Sequence, residues 1–360
     1  MKQFKKTVLK NIIMVLTALV LVLSPISYPH FTIRSFAENK PVIVVIDPGH
    51  GGGGNANLGA VYNALTEKDL TLQLARALKA ELDRYDNVSV ILTRTEDTPL
   101  TLEQRAVFAK ENNADFLFSI HFNASPIKNE HIFYGSEVWT SAFSPYYQKG
   151  YDFGQLVMGE WNGLGLYQKG VKTRIGKKGD DYYGIIRQSV KRNIPCVILE
   201  HAYLDCTTDA SVLKTAGFIE KLAVADATAM AKYFKLRSPS GADYSGFTYT
   251  NTLYPAGNLY QDVTGPDVCS AKVLAADPAR GNILVELTTS DKQSPVIYFS
   301  YSYDGGNTFS PLQMWDRTKN TQSFNVVVPP KTVNPKIVVR SYNNYEQMSE
   351  SNLVDVTGIF

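Results

Sequence analysis

The sequence predicts a two-part chain. The first part is an α/β domain whose mostly parallel, twisted sheet carries helices on both faces, and the second is a small all-β sandwich of the immunoglobulin or fibronectin kind. Three observations predict this. From Pro41 to about Leu236, short β-branched apolar runs alternate with longer segments of helical spacing, which is the order of parallel βαβ units. From Arg237 to Thr252 the chain is rich in Ser, Pro, Gly, Tyr and Thr without periodicity, as a linker is. Beyond it the helical spacing stops and short strand-like runs follow one another.

The elements follow in order. Lys2, Lys5, Lys6 and Lys10 precede an apolar run from Ile12 to Leu23, and a stretch ending Ser35-Phe36-Ala37 comes next. Residues 1–37 therefore read as a secretory signal peptide cleaved after Ala37. A run of twelve residues falls short of the ~20 that a membrane span needs, so no stable span is expected after cleavage. Residues 38–236 form the α/β domain. Its strands are Val42 to Ile46, Val88 to Thr93, Phe116 to Ile120 and Val197 to Leu199, apolar enough to be buried on both faces. Its helices are Asp69 to Tyr85, with Leu70, Leu74, Leu78 and Leu82 on one stripe, Leu102 to Asn112 behind Thr101 as N-cap, and about Ala210 to Tyr233. Asp152 to Trp161 supplies a further helical segment. Residues 237–264 are the linker and 265–360 the sandwich. Its strands are Ile283 to Leu287, Val296 to Tyr303, Phe324 to Val328, Ile337 to Tyr342 and Leu353 to Val356, with turns at Asp304-Gly305-Gly306-Asn307 and Val328-Pro329-Pro330.

Charge excludes one class of partner. The formal charge is +2, but removal of residues 1–37 takes away Lys2, Lys5, Lys6, Lys10 and Arg34 and no acid, and five lost positive charges leave −3. What remains has no basic stripe to recommend nucleic-acid binding. Cys196, Cys206 and Cys269 are an odd number with no paired spacing. They predict neither a disulfide scaffold nor a zinc-thiolate site, and Cys196, inside Cys-Val-Ile-Leu, reads as a buried apolar residue.

Three strands of the first part end in residues suited to metal or acid–base chemistry. Val44-Val45-Ile46 leads into Asp47-Pro48-Gly49-His50-Gly51-Gly52, Leu117-Phe118-Ser119-Ile120 into His121, and Cys196-Val197-Ile198-Leu199 into Glu200. The carboxyl ends of strands in an open α/β sheet line the ligand crevice, so these side chains are expected to converge. Glu67, just before a helix, could reach the same crevice. Two imidazoles and a carboxylate fill three positions of a tetrahedral zinc site and leave one for water, and a second carboxylate can take that water's proton. Each residue also has a simpler reading. His50 and His121 could be hydrogen-bonded loop residues, and Glu67 a first-turn acid favoured by the helix dipole. Glu200 directly follows four apolar residues and would be buried without purpose unless the site uses it.

The run Val45-Ile46-Asp47-Pro48-Gly49-His50-Gly51-Gly52, then Leu65-Thr66-Glu67-Lys68-Asp69-Leu70, Leu92-Thr93-Arg94, Leu102-Glu103-Gln104-Arg105 and Ser119-Ile120-His121-Phe122-Asn123-Ala124 resembles the zinc-dependent N-acetylmuramoyl-L-alanine amidases of the Amidase_3 type. Order and gaps match over roughly residues 42 to 235. The resemblance implies one Zn2+ held by His50, Glu67 and His121, with Glu200 as the catalytic acid–base residue. It implies hydrolysis of the amide between N-acetylmuramic acid and L-alanine in bacterial peptidoglycan, by a secreted or wall-associated enzyme. Arg187 stands where the family often has an arginine before its last strand; it could help bind substrate or orient Glu200, or form a structural ion pair. Two other readings are a catalytically silent wall-binding protein and a different zinc hydrolase of the wall.

One departure concerns the residues after Glu200. The family usually has a small residue and a glycine before an aromatic, whereas this chain has His201-Ala202-Tyr203. His201 could contact substrate, tune Glu200, act as an extra metal ligand or turn away from the site. Between Trp139 and Tyr183 lie many aromatic residues and the cations Lys172, Arg174, Lys177 and Lys178, which either face acidic stem peptides or form a solvated loop. The sandwich has no histidine, and Asp304, Asp316 and Glu346 are scattered at turns. It reads as a module that binds the wall or a wall protein, and deletion beyond Thr252 is expected to spare hydrolysis of soluble fragments.

Overall fold

The computed structural model describes residues 40–126, 132–249, 261–329, 332–356 and 358. The signal-peptide reading lies outside them. Among the described residues no helix is long and apolar enough to cross a membrane.

The apolar runs of the first part are strands. A six-stranded sheet contains β1 (Val42–Pro48), β4 (Val88–Leu92), β5 (Phe116–Asn123), β6 (Ser136–Thr140), β7 (Gln168–Thr173) and β8 (Cys196–Tyr203), in the order β4-β1-β5-β8-β6-β7. The short strands β2 (Val61–Tyr62) and β3 (Leu65–Thr66) form a separate hairpin. Every pairing in the main sheet is parallel except β6 with β8. The helices are α1 (Glu67–Leu82), α2 (Leu102–Glu111), α3 (Tyr146–Gly163), α4 (Gly184–Val190), α5 (Thr207–Leu213) and α6 (Phe218–Phe234).

Successive side chains of a strand point to opposite faces, and the sheet is covered on both. Val44, Ile46, Phe118, Ile120, Val197 and Leu199 pack with Leu74 and Leu78 of α1, Phe153 and Trp161 of α3, and Leu222 and Met230 of α6. Val45, Leu117, Cys196 and Ile198 pack on the other face with Ala109 of α2 and Ile185 and Ile186 of α4. The leucine stripe of α1 is buried as its spacing predicts, and Thr101 caps α2 in a capping box with Gln104. The helix expected from Ala210 to Tyr233 is two helices, because the chain turns at Gly217, whose φ of 75° is in the left-handed region.

The β-rich part contains two antiparallel sheets. One has β9 (Val268–Asp277), β10 (Asn282–Ser290) and β13 (Thr321–Val327). The other has β11 (Val296–Ser302), β12 (Gln313–Met314), β14 (Lys336–Asn343), β15 (Met348–Glu350) and β16 (Val354–Asp355). They share an apolar core of Ile283, Val285, Leu287, Val296, Phe299, Val326, Ile337 and Val339. The described residues from 41 onward are one compact unit, because a further core joins Phe133 and Tyr203 of the α/β part to Ile297, Tyr298 and Tyr342 of the β-rich part. Residues 237–249 of the expected linker pack back on the α/β part. Asp86 N donates to Arg237 O at 2.8 Å, and Phe247 lies against the main core. All three cysteines are free, and Cys196 is buried.

Candidate metal centre and active site

Three residues meet at the carboxyl end of the sheet. His50 follows β1 in a tight turn with φ of 61°. His121 is the sixth residue of β5, on the same face as Leu117 and Ser119. Glu67 is the first residue of α1. Its Oε2 lies 3.0 Å from His50 Nε2 and its Oε1 2.8 Å from His121 Nδ1. One ligand atom from each residue falls within 4.8 Å of the others. Two glycines make room for this. A Cβ on Gly49 would stand 2.3 Å from the His121 ring, and one on Gly59 2.4 Å from Glu67 Oε2. Glu67 also accepts the amides of Ala60 at 2.8 Å and Phe122 at 3.1 Å. Burial would raise its pKa, but hydrogen bonds and charge from His121 and His50 outweigh burial and hold it at about 2. Nδ1 of His50 is 3.2 Å from Asn57 Oδ1, the outer partner that fixes a ligating imidazole. This donor set suits zinc and leaves one tetrahedral position open.

A buried ion pair fixes the turn that carries His50. Arg105 donates to Asp47 Oδ1 at 2.7 Å, to Pro48 O at 2.8 Å and to His50 O at 2.5 Å. Arg94 donates to Pro48 O and Gly49 O at 2.9 and 2.8 Å. Asp47 is completed by the hydroxyls of Thr93 and Ser119.

Glu200 pairs with His121 across the parallel β5–β8 ladder. A cleft of about 550 Å³ is lined by His50, Glu67, His121, Glu200 and Tyr183 together. Glu200 Oε2 is buried and has no hydrogen-bond partner among the protein groups. Burial first, then the nearby carboxylates Glu67 and Glu137, push the Glu200 carboxyl well above the usual range. A metal cation beside it works in the opposite direction.

The model of the Amidase_3 family, N-acetylmuramoyl-L-alanine amidase, matches residues 44–232. This chain belongs to that family. The amidase is 34% identical over 206 residues to N-acetylmuramoyl-L-alanine amidase CwlM of Bacillus licheniformis, covering 56% of this chain and 73% of that protein. It is 32% identical over 211 residues to the sporulation-specific N-acetylmuramoyl-L-alanine amidase of Bacillus subtilis, covering 56% and 71%. A solved N-acetylmuramoyl-L-alanine amidase from Clostridium difficile 630 is 26% identical with a TM-score of 0.48, covering 56% of this chain and 100% of that one. The family match ends at residue 232, before the β-rich part.

Two residues singled out in the amidase sequence lie elsewhere. Arg187 does not line the cleft with Glu200. Its Nη1 donates to the carbonyls of Asp181 and Tyr182 at 2.6 and 2.9 Å, so it holds the loop that carries Tyr183. His201 is one residue past Glu200 and therefore faces the other side of β8. It is fully buried. Its Nδ1 faces His121 O and its Nε2 faces Asp226 Oδ2, each at 3.0 Å, beside Trp161.

Sequence reasoning missed Glu137. It sits opposite Glu200 in the antiparallel β6–β8 ladder. Lys172 and Lys169 lie 2.6 and 3.1 Å from its Oε2, and Asn123 and Trp139 donate to its Oε1 at 2.9 Å. Lys172 is therefore buried and paired, unlike the solvated or substrate-facing cation expected of it. Lys169 also pairs with Glu346 of the β-rich part. That link spans 177 positions, and no local pattern announces it.

Proposed function

We propose that this chain hydrolyses the amide between N-acetylmuramic acid and L-alanine in peptidoglycan, with Zn2+ held by His50, Glu67 and His121 and with Glu200 as the acid–base residue. The observation that carries this is one cleft holding a three-residue metal-ligand set and a buried, unpartnered carboxylate oxygen. Bound zinc lowers the pKa of water toward 7, making a nucleophile at neutral pH. Glu200 takes a proton from the attacking water and returns it to the departing nitrogen. Asn57 occupies Nδ1 of His50 and would leave Nε2 free to hold a metal, while Arg94 and Arg105 hold the turn. Arg187 acts at one remove, by fixing the Tyr183 loop.

The reading extends to the whole chain as residues 1–37 signal, 38–236 catalytic, 237–264 connecting and 265–360 an immunoglobulin- or fibronectin-like sandwich, exported to the wall. Contacts of the β-rich part with wall material belong to this proposal. The direct test is mass analysis of peptidoglycan digested by the full chain. New free L-alanine amino termini are the expected product, whereas released acetate or cuts within the stem peptide would sink the assignment.

A further inference from the structure

A second cleft, of about 510 Å³, opens beside Glu200. Asn123, Ala124, Tyr183 and Glu200 line it as well as the metal cleft, so the two are continuous. Its far wall is formed by Tyr345, Glu346 and Gln347 of the β-rich part, in the turn from β14 to β15, and by Gln261, Asp262 and Val263 just before that part. This wall is tied to the α/β part. Lys172 Nζ donates to Asn344 O at 2.9 Å, the Tyr345 hydroxyl accepts from Thr173 N at 3.1 Å, and Tyr203 donates to Glu346 Oε1 at 2.6 Å.

The turn is also organised from within. The buried Asn343 accepts the amides of Tyr345 and Gln347, each at 3.0 Å, and donates to Asp262 and Asp291. Glu346 holds a left-handed φ of 62°. Oε1 of Gln261 is buried without a partner, an acceptor suited to an N–H of a ligand. The Arg174 guanidinium stacks over Tyr182 at 3.6 Å and also lines the cleft.

We infer that this second cleft is the subsite for the stem peptide, and that the β-rich part is a wall of the substrate site. The inference rests on the amidase reading above, and two observations give it direction. Glu200, which hands the proton to the departing nitrogen, sits at the junction of the clefts, and that nitrogen belongs to the peptide half of the substrate. The muramoyl half then lies on the metal side. The second cleft also presents charged groups of both signs and an unpaired amide oxygen. That lining matches an ionised peptide better than an uncharged sugar ring.

The test uses the full-length, zinc-loaded protein and muramoyl peptides with one sugar portion and stems of one or four residues. The parent is expected to prefer the long stem. Gln347→Ala and Tyr345→Ala are expected to cut the long-to-short ratio of kcat/KM by about five- to tenfold, the worth of one lost hydrogen bond. The change should appear mainly in KM, with zinc content unchanged in both variants and the unfolding midpoint unchanged in Gln347→Ala. Gln347→Ala carries the test if Tyr345→Ala fails to fold, because Gln347 Nε2 donates only 3.0 Å away, within its own turn. An unchanged ratio in folded variants overturns the inference and leaves the amidase reading standing. A parent inactive on both stems would instead overturn the amidase reading and this inference with it.

Discussion

Glu200 and His201 are neighbours with opposite environments, and strand alternation explains both. One face of β8 ends at the metal cleft. The other ends under α3 and α6, where His201 meets Asp226 and Trp161. Sequence alone left His201 open between substrate contact and core because alternation needs a register, and only the pairing of His121 with Glu200 supplies it. The same face carries Asp47, whose pair with Arg105 is almost fully buried. Arg105→Met is expected to cost about 3–5 kcal/mol of stability by stranding that carboxylate. It should also weaken zinc binding by roughly 10–100-fold, because the turn under His50 loses its donor. Urea unfolding and zinc titration measure the two effects; a variant with parental stability and affinity would show that the arginine does neither.

At the scale of elements, apolar strands were legible and charged ones were not. β1, β4, β5 and β8 announce themselves because both faces are buried. β6 and β7 hold Glu137, Lys169 and Lys172, residues that read as surface, yet all three are buried, with both lysines paired to Glu137 and Lys169 also to Glu346. Partners far apart in sequence leave no local signal. This network has a pH signature. Burial would raise the Glu137 carboxyl, but the ammonium groups of Lys169 and Lys172 outweigh it and hold it at about 2, below its ordinary 4.5. A carboxyl depressed on folding contributes stability that is present above the unfolded pKa and lost as pH falls through the folded one. The parent should therefore lose stability between about pH 4.5 and 2, and Glu137→Gln should flatten that part of the profile. Unfolding free energies across this range decide it, and parallel profiles would contradict the role given to Glu137.

For the whole molecule, the division into α/β and β-rich parts was readable from periodicity, but their relation was not. Glu346 appeared as one scattered turn acid, whereas it closes the ion network of the catalytic sheet and walls the cleft beside Glu200. The expectation that deletion beyond Thr252 spares hydrolysis of soluble fragments gives way to the reverse. Truncation uncovers Phe133 and Tyr203, each worth roughly 1.5–3 kcal/mol when buried, and leaves Lys169 without Glu346. The shortened chain should unfold at a lower temperature and lose activity on soluble muropeptides; full activity with parental stability would restore the independent-module reading. The central claim, that one cleft joins a His50–Glu67–His121 metal site to Glu200 as acid–base residue, meets its most direct test in Glu200→Gln, with zinc content and turnover measured on the same preparation. Zinc should stay bound while turnover falls by about 10²–10⁴-fold; loss of zinc with the substitution, or turnover that survives it, would contradict that claim.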